Sequence, residues 1–152
     1  EKPKSTSMIV SKLTDYKLQL YANHEQAKSL NTNNINELLT HNWVGYVDNL
    51  LFTKELAYLK DLSENITPKF QSTSILSQYS AIKSGLGIGI LPCFLADHDD
   101  ELVKIYPQEI TINRSFWLVT HPEIKRLSRV DTVWQYLKAL AADKQSLLNP
   151  IC

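Results

Sequence analysis

The 152-residue chain is poor in cysteine, glycine and methionine, and it has no long apolar run. Its two cysteines, Cys93 and Cys152, are too few for a disulfide framework, so a reducing, cytoplasmic compartment is expected. No apolar stretch approaches the roughly 20 residues of a bilayer span. The start Glu1-Lys2-Pro3-Lys4 leads into no signal-like segment, so neither a membrane partner nor an export address is expected. An excess of charge of either sign is missing too. Sixteen basic and sixteen acidic residues are interspersed and give a formal net charge of zero, which leaves no footprint for nucleic acid.

Catalytic signatures are equally scarce. There is no GxSxG elbow, no P-loop and no triad order. His24, His41, His98 and His121 fall in no HExxH or HxH array and stand beside no cysteine at ligand spacing, so no metal and no cofactor is expected. Residues 97–101, Asp97-His98-Asp99-Asp100-Glu101, lack the spaced ligands and central glycine of a calcium loop and read as a solvated charged turn. Cys93 has no histidine placed beside it by the sequence and reads as a small buried apolar filler. The expectation is a chain with no catalytic residues, not an enzyme.

What glycine there is lies almost wholly in one place: three of the four glycines occur in Gly85-Leu86-Gly87-Ile88-Gly89. Ahead of the run, Ile75, Leu76, Tyr79 and Ile82 recur at helical spacing, and Thr73 or Ser74 supplies a capping hydroxyl. Gly85 falls where that helix must stop, a position that commonly needs positive φ. Leu86, Ile88 and Ile90 then read as a buried strand that ends at Pro92, with a short helix starting at Cys93. The order is helix, glycine turn, strand. A dinucleotide fingerprint needs the reverse, with the glycines opening a helix, so the run is not a phosphate cradle.

Elsewhere, residues 8–10 are apolar, and 17–21 alternate polar with apolar as in a half-buried strand. Asn23 can cap a helix over 24–30, and Asn31-Thr32-Asn33-Asn34 reads as a loop that leads into a short helix at 35–39. A second strand is expected over 43–47, a helix over 53–62, a short strand at Phe70 and another over 102–105. The strand at 115–120 carries large apolar groups on both faces and reads as buried on both sides. Val130, Val133, Trp134, Leu137, Leu140 and Ala141 mark one face of a final helix over 128–142, and the tail beyond Asp143 is expected to fray. Strands alternating with helices indicate an α/β architecture.

Residues 80–92, Ser80-Ala81-Ile82-Lys83-Ser84-Gly85-Leu86-Gly87-Ile88-Gly89-Ile90-Leu91-Pro92, resemble the helix-to-strand signature of the effector-binding domain of LysR-type transcriptional regulators. Residues 12–23 are similar to that family's strand crossing from the first lobe into the second. Residues 101–107 and 117–122 resemble its closing strands, and Arg129-Val130-Asp131 opens its final helix. The match runs through most of the chain in order.

The resemblance implies an α/β, periplasmic-binding-protein-like domain of type II, with two lobes and a small-molecule cleft. In that scheme residues 1–22 supply part of the first lobe and the crossover, 23–120 are mainly the second lobe, 121–145 return to the first, and 146–152 form a tail. The first lobe is incomplete, since family members have further units before the segment that matches Glu1. Carried over by position, the ligand-binding residues are Ala22 and Asn23 in the loop after the first-lobe strand, Tyr46, Val47 and Asp48 at the end of a second-lobe strand, and Thr73 and Ser74 at a helix N-terminus. The implied partners are a small-molecule, anionic effector and a second copy of the chain, in a homodimer or higher oligomer. DNA is reached only through a helix-turn-helix domain absent from these residues. The alternative is a solute-binding module of the same architecture with no role in transcription.

Overall fold

The computed structural model describes residues 3, 7–30, 35–51, 53, 56–63 and 65–150; the expected loop at 31–34 lies outside them. Two compact units emerge. The central unit is Leu18–Ile112, and the terminal unit combines Glu1–Lys17 with Asn113–Cys152. Among the described residues no helix is long and apolar enough to cross a membrane.

The separate apolar stretch and strand expected near the start are one strand, β1 (Ile9–Asn23). It is followed by α1 (His24–Ser29), β2 (Trp43–Gly45), α2 (Tyr58–Leu62), β3 (Phe70–Gln71), α3 (Ile75–Lys83), β4 (Ile88–Pro92), α4 (Cys93–Ala96) and β5 (Leu102–Lys104). Three of these differ from expectation. The strand expected to run to Val47 stops at Gly45, where an added Cβ would collide with Leu59 Cδ1 at 2.5 Å, and a 3₁₀ turn, Asp48–Leu50, follows. The helix expected over 53–62 is regular only at Tyr58–Leu62, and residues 54 and 55 lie outside the described set. Residues 35–39 form a 3₁₀ helix, Ile35–Thr40, in place of an α-helix.

In the central unit the strand order is β3-β2-β4-β1-β5. β2 is parallel to β3, with Gly45 opposite Gln71, and parallel to β4, with Val44 opposite Gly89. β1 runs antiparallel to β4, pairing Leu18 with Pro92 and Tyr21 with Gly89. One edge of the sheet therefore collects the C-terminal ends of β2, β3 and β4. The opposite edge collects their N-terminal ends and the Asn23 end of β1.

α3 covers one face through Ala81 and Ile82, which pack in a core with Tyr21, Val44, Leu91, Ala96 and Leu102. Close approach explains the glycines. A Cβ on Gly89 would lie 2.7 Å from Ile82 Cδ1 and 2.9 Å from the Val44 carbonyl oxygen, while Gly85 has φ +78°. Ser74 caps α3 as expected. Leu86, however, stays outside β4 and is 52% exposed, because the two-residue link after Gly85 turns it away from the sheet.

The alternation at 17–21 suggested a half-buried strand, yet residues 18–22 are buried on both faces. Gln19 tolerates this through three partners: its Nε2 donates to the Pro107 carbonyl and to Thr111 Oγ1, both at 3.1 Å, and its Oε1 accepts from Cys93 Sγ at 3.6 Å. Cys93 is fully buried, in keeping with a filling role.

The terminal unit contains the first part of β1, which pairs with β6 (Thr111–Thr120), followed by α5 (Pro122–Lys125), α6 (Ser128–Asp143) and α7 (Gln145–Leu148). Tyr16 stacks on Phe116 with ring centroids 4.3 Å apart, and Ser115 Oγ donates to Asp15 at 2.6 Å. The expected burial of β6 on both faces is not observed: none of its residues is fully buried. α6 follows its expected span, but only Trp134 and Ala141 of its apolar face are buried and Val133 is 56% exposed. Past Asp143 the chain forms α7 rather than fraying, and Lys17 Nζ donates to the Pro150 carbonyl at 2.6 Å.

Candidate functional site

In a sheet with parallel strands, ligands are taken up beyond the C-terminal ends of those strands, where helix N-termini gather. In the central unit this edge carries Tyr46, Val47 and Asp48 just past β2, and Ser72, Thr73 and Ser74 just past β3. The two segments are tied directly, since Ser72 N–H donates to the Gly45 carbonyl at 3.0 Å. Five of the seven residues expected in a ligand site are thus neighbours.

Local chemistry shapes the second segment. Ser72 Oγ accepts from Ser74 N–H at 3.1 Å, and Ser74 Oγ accepts from Ser77 N–H at 3.4 Å. These are turn and capping bonds, and they leave the N–H groups of Ile75 and Leu76 at the start of the helix for an outside acceptor. Thr73 and Ser74 are exposed. In the first segment Tyr46 packs edge-on against Tyr58, with ring centroids 5.9 Å apart. Asp48 pairs with Lys60 at 2.9 Å, which offsets a carboxylate that would otherwise repel an anion at this edge.

Ala22 and Asn23 lie elsewhere. They are the last residues of β1 rather than a loop after it, and they pair with Val103 and Leu102 of β5. Because β1 runs against β4, they fall at the opposite edge of the sheet from Tyr46 and Ser74. Ala22 is fully buried. Asn23 caps α1, accepting from Gln26 N–H at 2.9 Å, and its Nδ2 reaches the Lys83 carbonyl at 3.5 Å. Gln26 Nε2 donates to the Gly85 carbonyl at 2.6 Å. This edge is closed by its own side chains around the end of α3.

The turn over 97–101 is not merely solvated. Asp97 accepts from the Tyr21 hydroxyl at 2.5 Å and from Lys104 at 2.9 Å. Asp99 accepts from the Tyr79 hydroxyl, from Glu101 N–H at 3.0 Å and from Lys83 at 2.9 Å. These donors, with Tyr79 foremost, hold the Asp99 carboxyl down at about 2, and the same pairing raises the Lys83 ammonium above its ordinary range. The network pins the second half of α3.

Ser72 and Gln78 were missed from the sequence. Gln78 is 1% exposed on the sheet-facing side of α3, and its Nε2 donates to the Ser72 carbonyl at 2.8 Å. The helical pattern was visible, but a stripe drawn through apolar residues alone passes Gln78 by and includes Leu76, which is exposed.

The architecture has close parallels. The regulatory domain of CrgA, a LysR-type transcriptional regulator from Neisseria meningitidis, superposes with a TM-score of 0.74 at 19% identity, over 92% of this chain and 72% of that one. The regulatory domain of CcmR from Synechocystis PCC6803, solved in complex with 2-PG, gives 0.71 at 17% identity, over 92% of this chain and 70% of that one. The regulatory domain of AphB from Vibrio vulnificus, treated with cumene hydroperoxide, gives 0.66 at 20% identity, over 90% of this chain and 70% of that one. At such identities the likeness establishes the fold. No curated protein matches the chain. The family described as the LysR substrate binding domain matches residues 1–142. With its mixed α/β elements and the family match over residues 1–142, the chain belongs to the LysR substrate-binding domain family, whose members are periplasmic-binding-protein-like effector domains of transcriptional regulators.

Proposed function

We propose that the effector of this chain binds at the C-terminal edge of β2 and β3, on Tyr46, Val47, Asp48, Thr73 and Ser74. The observation that carries this reading is the parallel register of Gly45 with Gln71, which sets residues 46–48 beside the start of α3. At that start, free N–H groups and the helix dipole favour an anionic or acceptor group, with the hydroxyls of Thr73 and Ser74 as additional donors. The small-molecule complex of the CcmR regulatory domain supports an effector of modest size. Ala22 and Asn23 have structural roles in this reading: they complete β1 and lock the far end of α3.

The chain acts in the cytoplasm as the sensing part of a dimeric regulator without enzymatic activity, and a separate helix-turn-helix domain engages DNA. The effector changes DNA binding only to the extent that it binds one arrangement of the regulator more tightly than another. The family match favours this function over a solute-binding module of the same architecture.

A thermal-shift screen of small carboxylates and phosphates, followed by calorimetry, tests the site. Thr73→Ala combined with Ser74→Ala is expected to weaken the best-binding anion about tenfold or more, a loss of about 1.4 kcal/mol. Asn23→Ala is expected to leave that affinity unchanged. An unaltered affinity in the Thr73/Ser74 double variant removes the start of α3 from the site.

A further inference from the structure

Side chains alternate across a strand, so the three residues of β2 divide between the two faces of the sheet. Val44 packs with Ala81 and Ile82 of α3. Trp43 and Gly45 therefore face the other way, toward α2. There Leu59 closes over Gly45 and leaves no room for a Cβ. One turn later α2 stops: Ser63 N–H donates to the Leu59 carbonyl at 3.0 Å, and the chain leaves the helix in an extended conformation. The helix thus ends before it has covered Trp43.

What remains beside Trp43 is a cavity of about 230 Å³. The indole is 2% exposed, and its Nε1 donates to the Leu38 carbonyl at 2.8 Å, so the ring is fixed and its one polar atom is spent. The 3₁₀ helix contributes Leu38 and Leu39, the end of α2 Leu62 and Ser63, and Ile66 and Ile110 complete the lining. All lie in the central unit. Leu39 is 45% exposed, so the cavity reaches the surface there.

Size and lining together define what fits. Packed interiors hold few voids larger than a water molecule, and an apolar cavity of roughly 150 Å³ is enough to take up benzene. This one is larger and has no charged side chain in its lining. A carboxylate would lose its hydration there without meeting a cation. Trp43 offers an aromatic wall, which favours edge-on or offset contact with a second ring. The polar side chain is Ser63. Its Oγ accepts from Asn65 N–H at 3.2 Å, and among the described residues no acceptor takes its proton.

We propose that this cavity is a ligand site distinct from the edge that carries Tyr46 and Ser74, and that it takes a neutral benzene ring bearing a carbonyl or similar acceptor. The ring lies against Trp43 and the leucines, and the acceptor takes the Ser63 proton. The site does not depend on placing the effector at the start of α3, because Trp43 opens β2 whereas Tyr46 follows its end.

Acetophenone supplies both parts, ethylbenzene only the ring, and benzoate replaces the neutral acceptor with a charge. Each is titrated into the 152-residue chain while the methyl resonances of Leu38, Leu39, Leu62, Ile66 and Ile110 and the indole N–H of Trp43 are followed. Acetophenone and ethylbenzene are expected to shift these signals to saturation, and benzoate to leave them in place. Ser63→Ala is expected to weaken acetophenone about fivefold, the effect of losing one neutral hydrogen bond, and to leave ethylbenzene unchanged. No response to either ring compound overturns the site, and so do shifts that fail to saturate or that appear equally at the exposed Val133 and Leu140 of α6. Benzoate binding as tightly as acetophenone overturns the neutral class. An acetophenone affinity unchanged by Ser63→Ala overturns the part given to the hydroxyl. The titrations of the unaltered chain decide on the site even if Ser63→Ala does not fold.

Discussion

At one edge of the central sheet Asn23 and Gln26 turn their side chains onto the backbone of Lys83 and Gly85; at the other, Thr73 and Ser74 face outward around a bare helix start. Both edges are rich in small polar residues and both abut α3. They differ in where the hydrogen bonds go. At the closed edge the side-chain amide donors of Asn23 and Gln26 are spent on the backbone of α3 and its turn, although Gln26 Oε1 is buried without a partner, so a substitution there should act on stability. At the open edge some are left over, so a substitution there should act on binding.

The largest expected break in that pattern is Gly87→Ala. Its Cβ would run into the backbone carbonyl of Asn42, which accepts from Ile88 N–H at 2.9 Å and so cannot yield easily. A loss of about 3 kcal/mol in urea unfolding is expected, at the upper end of overpacking costs. A loss near zero would mean that the closed edge is not tightly packed.

Asn23→Ala removes the cap of α1 together with the link to Lys83 and should cost about 1 kcal/mol with no change in ligand affinity. Ser74→Ala removes a cap whose bond is longer, at 3.4 Å, and should cost less stability while weakening anion binding. If the two variants affected affinity equally, the distinction between the edges would collapse.

Acid sharpens the comparison from another side. Asp99, which pins the second half of α3, has a native value of about 2 against an ordinary 3.8, so the folded state takes up its proton less readily than the unfolded chain. Its stabilisation is complete above about pH 4 and disappears as the pH falls toward 2. Asp99→Asn is expected to lower the urea midpoint at neutral pH and to fall less steeply between about pH 5 and pH 2 than the unaltered chain. The smallest effect belongs to Lys60→Ala. Both members of its pair with Asp48 are at least half exposed, so a change within about 0.5 kcal/mol is expected, together with weaker anion binding once Asp48 is left unpaired. Calorimetry on the same anion checks the second part.

Elements fixed by local chemistry were legible from the sequence alone. The Ser74 cap, the stop at Gly85, the strand into Pro92 and the span of α6 each depend on a few neighbouring residues. What depends on partners distant in sequence was not. The last residue of β2 is glycine because Leu59 and Pro68 leave no room for a Cβ there, and Gln19 tolerates burial because Pro107 and Thr111 receive it. Burial of α6 was overestimated for the same reason: periodicity marks which face is apolar, not how completely that face is covered.

The candidate site was legible residue by residue but not as a set. Which strand ends share an edge follows from strand direction. Nothing near Ala22 or Asn23 announces that β1 runs against β4. Gln78 went unseen because a glutamine in a helix ordinarily faces water, and only the packing of Ala81 and Ile82 turns it inward.

α3 joins the two edges. Its nine residues span about 13 Å. The far end is clamped by Asn23 and Gln26 around the positive-φ turn at Gly85, and its middle and far half are strapped to Asp99 through Tyr79 and Lys83. The near end is held by the bonds of the turn at Ser72 and by Gln78. A ligand drawn against Ser74 therefore meets a helix whose far half is already anchored to Asp99, Asn23 and Gln26.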